Sequence, residues 1–574
     1  MRKIYLFMLT LLSAVGVWAQ DVIIEEGKQY RLQVADEGCT SELYLSMTST
    51  VHGQSDGAGH CLYLTSAKES AIFEQGQGGW YIKNNSGTYL IKNSWGLRPA
   101  MPNDVTAGNV KQLFSIETIN AANSLIKIRV PEYNGENNYF GCRSLTNKYN
   151  QSVWGCVVFC NRSATDALVF KLIEVTPRVI LTDLISKANT YTAGTQVGDC
   201  TQTSIDALTQ AINLAQAEVD NNSVEESDIT ALQAAIDNLA FVMPDPSKFY
   251  TIAKYNDNNA VIYAQNDAKC NHGTNTTPES VWKFEQGSAP NKFYLKNVGT
   301  GLYMTSYAHN KTVILNDKAE GVEAQVTGLG TGRQITISCG EQLNRASNRL
   351  CVWNESAPIN SNSAWVANLV EVGNIAHRLE IGSSKWASLV LGFDAIIPDN
   401  VKVYRVSEIS GTEVVLKEIT GILPANTAVL VNAEAGYYDF VYSTTTTSAV
   451  SSKLLGSTTT SYVAKETGTT HYVLSNFGDN VGFYAVVYNK ASDGTAGTEY
   501  FQNNAHKAYL PASAVTGNAR VLTFNFDDNA ETGINAVEIE EAAPANAAIY
   551  DLSGRRVQSA KSGLYIINGK KVIK

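Results

Sequence analysis

At 574 residues the chain is too long for one hydrophobic core, and a prior of about 150 residues per domain sets an expectation of three or four units. The formal net charge is −10 and no basic stripe is present, which argues against nucleic acid as a partner. With 28 Tyr and 43 Gly against only 13 Pro, the composition favours strands joined by tight turns, so the class reads as mainly β and multidomain, with one helical interruption.

In chain order, Met1, Arg2 and Lys3 precede an apolar run from Ile4 to Leu12, and Val17 and Ala19 place small residues at the −3 and −1 positions before Gln20. This predicts a signal peptide over residues 1–19 and a secreted or cell-surface protein. The apolar run is shorter than the roughly 20 residues a bilayer span needs, and no later segment has the length or apolarity of a span. Export permits disulfides, but nine cysteines leave at least one unpaired within the chain. Cys200, in a helical stretch away from the others, is the candidate for the leftover.

Self-similarity organises the rest. Phe73-Glu74-Gln75-Gly76 stands before Trp80 to Leu90 (WYIKNNSGTYL), and Phe284-Glu285-Gln286-Gly287 before Phe293 to Tyr303 (FYLKNVGTGLY). Ile126 to Ile128 lies sixteen residues before Cys142, as Ile335 to Ile337 lies sixteen before Cys351. Two copies of one domain are therefore expected, over 20–176 and 244–373. A shorter period within each, starting near Tyr30, Tyr81 and Ile126 and near Tyr250, Tyr294 and Ile335, predicts a threefold closed β structure built from hairpins. Phe73, Trp80, Phe284 and Phe293 sit in the repeat itself and are expected in the core.

Both quoted phrases resemble the repeat of ricin-B-type β-trefoil lectins, although no repeat carries a clean Gln-x-Trp signature. The resemblance covers about half the chain and implies two β-trefoil-like, sugar-binding modules.

Between the copies, over 177–243, the apolar period changes from two to about 3.6. Leu181, Leu184, Ile185 and Ala188 share one helical face; so do Ile205, Leu208, Ile212 and Ala215, and then Ile229, Leu232, Ala235, Ile236 and Leu239. Three helices are expected, the last stopped by Pro244. Ala207 to Ala215 (ALTQAINLA) resembles the FIVAR-type helical modules of extracellular bacterial proteins, which implies a spacer.

Strands return over 374–530, separated by Gly, Asn, Asp and Pro turns, as in a β-sandwich or open barrel. Ile422 to Leu430 (ILPANTAVL) and Lys507 to Pro511 (KAYLP) resemble a domain recurrent in surface proteins of Bacteroidetes-type bacteria. Residues 531–574 form an acidic linker and a short module in which Asn568-Gly569, between two apolar alternating runs, signals a hairpin. The module resembles the C-terminal sorting domain of type IX secretion, which implies contact with secretion machinery through 547–574.

No GxSxG elbow, HExxH pair, P-loop or EF-hand loop is present. The seven histidines are scattered, with no two at metal-ligand spacing. The expectation is a protein without catalysis, cofactor or metal. A sugar presents C–H groups on one face and hydroxyls at its edge, so a site wants an exposed aromatic plane beside amide or charged groups. Asn93 and Trp95, Gln151 and Trp154, and Trp353 and Asn354 have that composition. The function read from the sequence is binding of polymeric or surface glycans. Adhesion to a protein partner is the alternative, and a glycan-active hydrolase with its site in 374–530 ranks below it.

Overall fold

The computed structural model describes residues 21–36, 39, 42–52, 60–92, 97–99, 111–131, 138–142, 158–305, 308–330, 332–346, 349–354, 359, 361–477, 480–490, 499–516, 519–532, 549–550, 556–557, 564–567 and 570–573. It divides into two compact units, Met1–Thr190 with Asp206–Asn238 and Tyr191–Ile205 with Leu239–Lys574. The protein is mainly β, with three α-helices among the described residues.

In the first unit six strands close into a ring. Gln29–Val34 pairs with Ala71–Gly76, which pairs with Gly79–Asn84. Trp80 bridges Phe114 through two backbone hydrogen bonds of 2.8 Å, just before Ser115–Asn120. That strand pairs with Leu125–Arg129, then comes Phe170–Glu174, which returns to Gln29–Val34. Three hairpins extend the ring: Tyr44–His52 with His60–Thr65, Leu90–Lys92 with Leu97–Pro99, and Tyr139–Cys142 with Val158–Arg162. Tyr30, Tyr81 and Ile126, where the sequence period begins, fall on the first, third and fifth strands of the ring.

The second unit repeats this pairing. Phe249–Lys254, Val281–Gln286, Lys292–Asn297, Ala324–Gly328, Ile335–Cys339 and Trp365–Val370 close a ring in that order. Its hairpins are Asp257–Ala264 with Cys270–Gly273, Tyr303–Met304 with Leu315–Asn316, and Glu341–Ala346 with Arg349–Trp353. The cores match in detail. Phe284 meets Tyr250 and Phe293 edge-on at 5.6 and 5.7 Å, as Phe73 meets Tyr30 and Trp80 at 5.7 and 6.1 Å. Phe73, Phe284 and Phe293 are buried as expected, and Trp80 packs half-buried against the same core. The buried indoles of Trp282 and Trp365 each donate to a backbone carbonyl, of Ile262 and Leu343, at 2.9 Å. A buried N–H without such a partner would be costly.

The helices are α1 (Pro177–Ala188), α2 (Gln202–Asn221) and α3 (Glu226–Asp237). Thr176 caps α1, and a reciprocal box of Glu225 and Asp228 caps α3. The expected apolar faces are the buried ones: Leu181, Ile185 and Ala188; Leu208 and Ala215; Leu232 and Ile236. The end of α3 differs from the expectation. The helix stops at Asp237, seven residues before Pro244, and Leu239 lies outside it. Beyond Asn238 the chain turns extended, and Thr201 and Val242 donate to the carbonyls of Ala240 and Asp199 at 2.8 Å. That pairing, not the proline, ends the helix. Cys200 is buried and carries a free thiol, its proton held by burial.

After the second ring, the sheet Ala376–Ile381, Gly436–Tyr442, Ala395–Ile396 and Ile422–Leu423 faces a longer sheet of nine strands. In that longer sheet Val429 and Val431 point into one core and Leu430 into another. A strand covered on both faces reads as a continuous apolar run, as 428–431 does. Residues from both halves of the long sheet, Val406 and Leu416 with Tyr472 and Leu510, enclose the second core, so this sheet curls upon itself. At the C-terminus, Leu564–Ile567 pairs with Lys570–Ile573, Ile567 opposite Lys570, while Asn568 and Gly569 lie outside the described residues.

Phe249, Val281 and Val298 belong to strands or turns of the second ring but are buried in the core of the following sheets, with Leu379, Leu389 and Phe440. Their neighbours Tyr250 and Trp282 point the other way, into the ring. The repeat aligns these three with Gln29, Ser70 and Asn85 of the first copy, all polar. Phe249→Gln, which installs the first-copy residue, should cost about 3–5 kcal/mol in urea unfolding of the full chain. A change within about 0.5 kcal/mol, typical of a surface site, would refute the shared core.

Candidate functional site

Three polar constellations stand out in the second unit, one of them duplicated in the first. The hairpin Glu341–Ala346 with Arg349–Trp353 places Leu343 and Val352 opposite each other in the core, and therefore Gln342 and Trp353 opposite each other on the outer face. Trp353 is 41% exposed. The imidazole of His309 lies over its indole at 5.0 Å and a 35° tilt, and the Glu341 carboxylate fixes that imidazole through Nδ1 at 2.9 Å. His309 is placed by the backbone, since Asn310 N–H donates to the Val352 carbonyl at 3.0 Å. Gln342 Oε1 is buried and has no hydrogen-bond partner. The result is an aromatic plane edged by an imidazole and a carboxylate.

The second constellation occurs twice. Glu285 accepts from Tyr303 Oη at 2.9 Å and from Lys318 Nζ at 2.6 Å, and Lys318 lies 5.6 Å over the Tyr294 ring and 5.5 Å over Tyr303. In the first ring Glu74 accepts from Tyr89 and, at 2.6 Å, from Lys111, which lies 5.1 Å over Tyr81 and 4.4 Å over Tyr89. Lys83 and Lys296 stand over Tyr89 and Tyr303, each at 5.7 Å. The hydrogen bonds of Lys111 and Tyr89 hold the Glu74 carboxyl at about 2. Burial works against ionisation of Glu285, but Lys318 and Tyr303 outweigh it and keep that carboxyl below its ordinary value.

The third constellation lies where the second ring meets the following sheets. A cleft of about 930 Å³ opens there, lined by Tyr263, Asn266, Asp267, Arg378 and Asp439 among others. At its floor stand Glu279, His377 and His506, their ligand atoms all within 4.8 Å of one another. Glu279 follows Pro278 in a single 3-10 turn, and Thr277 Oγ1 donates to its carboxylate. The His377 and His506 rings are 4.5 Å apart. Burial opposes ionisation of Glu279, but the bond and charge of His506 prevail and hold its carboxyl at about 2. Burial first, and the neighbouring His506 second, lower His377 to about 4.

Of the residues singled out in the sequence, Asn93, Trp95, Gln151 and Trp154 lie outside the described residues. Trp353 and Asn354 are both exposed, at one end of the third hairpin. Sequence reasoning missed their companions His309, Glu341 and Gln342. It also missed the Glu–Tyr–Lys cluster, whose signal was printed in the repeat: Glu74, Tyr81, Lys83 and Tyr89 align with Glu285, Tyr294, Lys296 and Tyr303. The sequence offered no metal-ligand set by spacing along the chain; the fold brings His377 and His506 together with Glu279.

No protein-family model matches the chain. No curated protein matches it either. Among solved structures, a Polyporus squamosus lectin bound to a human-type influenza-binding epitope is 12% identical, with 21% of this chain and 49% of that chain covered and a TM-score of 0.19. A mosquitocidal holotoxin is 9% identical over 86% of this chain and 53% of that one, with a TM-score of 0.20. The chain thus spans about half the length of each. No described helix is long and apolar enough to cross a membrane.

The Glu285 carboxyl titrates below its unfolded value of 4.5. Its stabilising contribution is therefore complete above that pH and is lost as pH falls through the lowered folded value. Glu285→Gln should flatten this part of the acid limb in urea midpoints measured between pH 5 and pH 3, and an unchanged acid limb would show that the cluster adds no stability.

Proposed function

We propose that this chain is a secreted or cell-surface glycan-binding protein that acts without catalysis, engaging polymeric or displayed glycans through its two ring-and-hairpin modules. Six strands closed into a ring and extended by three hairpins is the arrangement of a β-trefoil, and we read both modules as such. The observation that carries the proposal is the exposed Trp353 plane with His309 and Glu341 at its edge. An indole offers the C–H face of a sugar an apolar surface. The Glu341 carboxylate beside it suits the sugar's hydroxyls.

Two modules raise avidity when one polymer reaches both, which suits weak individual sites. Export through residues 1–19 and sorting through 547–574 belong to the same reading, as does the spacer role of 177–243.

The test is a glycan array with the full chain and its Trp353→Ala variant. Binding of at least one glycan class by the wild type is expected, weakened at least about tenfold in the variant, which corresponds to about 1.4 kcal/mol. The stability of Trp353→Ala should remain within about 0.5 kcal/mol of the parent, as at other exposed positions. Silence of the wild-type chain across a broad array would overturn the glycan reading in favour of a protein partner. Binding untouched in the variant would move the site away from Trp353.

A further inference from the structure

The His506 side chain poses a problem that protons alone solve in only one way. Its Nδ1 stands 2.9 Å from the backbone carbonyl of Val390, and its Nε2 stands 3.0 Å from Glu279 Oε1. Both partners are acceptors. A neutral imidazole has one N–H and one lone pair, so one of these contacts would set a lone pair against an oxygen. Either a proton is shared between Nε2 and the carboxylate, or a cation lies between them.

Three observations favour the cation. First, a metal-bound histidine commonly donates its other N–H to a carbonyl or carboxylate, which fixes the ring, and the Val390 carbonyl does so here. Second, the lone pairs of His377 add another donor at the same place, and no described residue hydrogen-bonds either nitrogen of that ring. Third, His506 is held at φ +61°, in the left-handed region, with its backbone N–H donating to Ser457 at 2.8 Å and its carbonyl accepting from Val390 at 3.1 Å. Such a conformation persists in a non-glycine residue when its surroundings fix it.

We propose that Glu279, His377 and His506 form a binding site for a first-row divalent cation of the zinc class, with open coordination positions facing the cleft. Two imidazoles and one carboxylate suit Zn²⁺, Co²⁺ or Ni²⁺ better than Ca²⁺ or Mg²⁺, which take oxygen ligands. His506 Nε2 and Glu279 Oε1, 3.0 Å apart, already stand at about the separation that two bonds of about 2.0–2.2 Å to one ion require. Glu279 is anchored by Thr277 and hemmed in by Gly299, where an added Cβ would stand 2.6 Å from Oε1. His377, which is less constrained, completes the set. Three protein ligands leave a fourth position, which water or an oxygen of a ligand in the cleft would fill. Asn266, Asp267, Arg378 and Asp439 line the space in front of it.

The test uses tag-free full-length protein, stripped with chelator and titrated calorimetrically with Zn²⁺, alongside His377→Ala and Gly299→Ala. One equivalent of Zn²⁺ should bind and raise the melting temperature, and Co²⁺ should bind with a visible absorption band of low-symmetry coordination. His377→Ala should weaken Zn²⁺ binding at least about a hundredfold while keeping the circular dichroism spectrum of the parent, since that ring makes no hydrogen bond the fold needs. Gly299→Ala, which displaces Glu279, should weaken it too. Absence of stoichiometric Zn²⁺ or Co²⁺ binding by the wild type would overturn the proposal and leave His506 as an imidazolium paired with Glu279. Binding unchanged in His377→Ala would overturn it equally.

Discussion

The feature on which the second unit depends is the apolar strip that its ring turns outward. In a strand whose inner face builds the ring core, the outer residues ordinarily meet water and are polar. Phe249 and Val281 break that rule, and Val298 extends the strip, because the following sheets cover all three. Backbones meet closely at the same boundary: an added Cβ on Gly392 would stand 2.4 Å from Gly301 N. Thr458 Oγ1 also donates to the Thr300 carbonyl at 2.7 Å, in a buried position. The ring and sheets are therefore held in one fixed relation. Only that fixity allows Glu279 from the ring to meet His377 and His506 from the sheets.

The same comparison explains what was legible in the sequence. The ring itself was legible, because each hairpin must recur to bury a core that it cannot enclose alone, and the recurrence is visible at Tyr30, Tyr81 and Ile126. The exposed Trp353 was legible from its polar company. The outward strip was present as well, in the substitution of Phe249, Val281 and Val298 for Gln29, Ser70 and Asn85. It becomes a signal only when two copies are compared position by position for faces rather than for shared letters. The Glu279 cluster had no local signal at all. Its members are separated by about a hundred residues or more, and the geometry that unites them is tertiary.

The second copy also separates two kinds of constraint that a single domain would confound. The Glu–Tyr–Lys cluster stands in both rings, whereas the apolar strip stands in one. Burial against the following sheets cannot be the reason for the cluster, since the first ring keeps it with Gln29, Ser70 and Asn85 at the strip positions. Nor is it a requirement of closing the ring, because its outer members Lys111 and Lys318 are substantially exposed. What the two copies hold in common outside their cores is thus a tyrosine-walled patch with a carboxylate ringed by lysines, displayed beside the same hairpin of each ring.

That patch and the Trp353 plane divide the surface of the ring in a way that follows from its threefold construction. Each hairpin is an independent platform on a common barrel, so one platform can change without disturbing the others. In the second ring one hairpin carries the duplicated patch, another carries Trp353, and the outward strip beside the first docks the neighbouring sheets. A scaffold that assigns separate tasks to separate hairpins tolerates loss of any one of them. Removing Trp353 should therefore leave the junction and its Glu279 cluster intact, and disturbing the junction should leave the indole platform folded but differently presented.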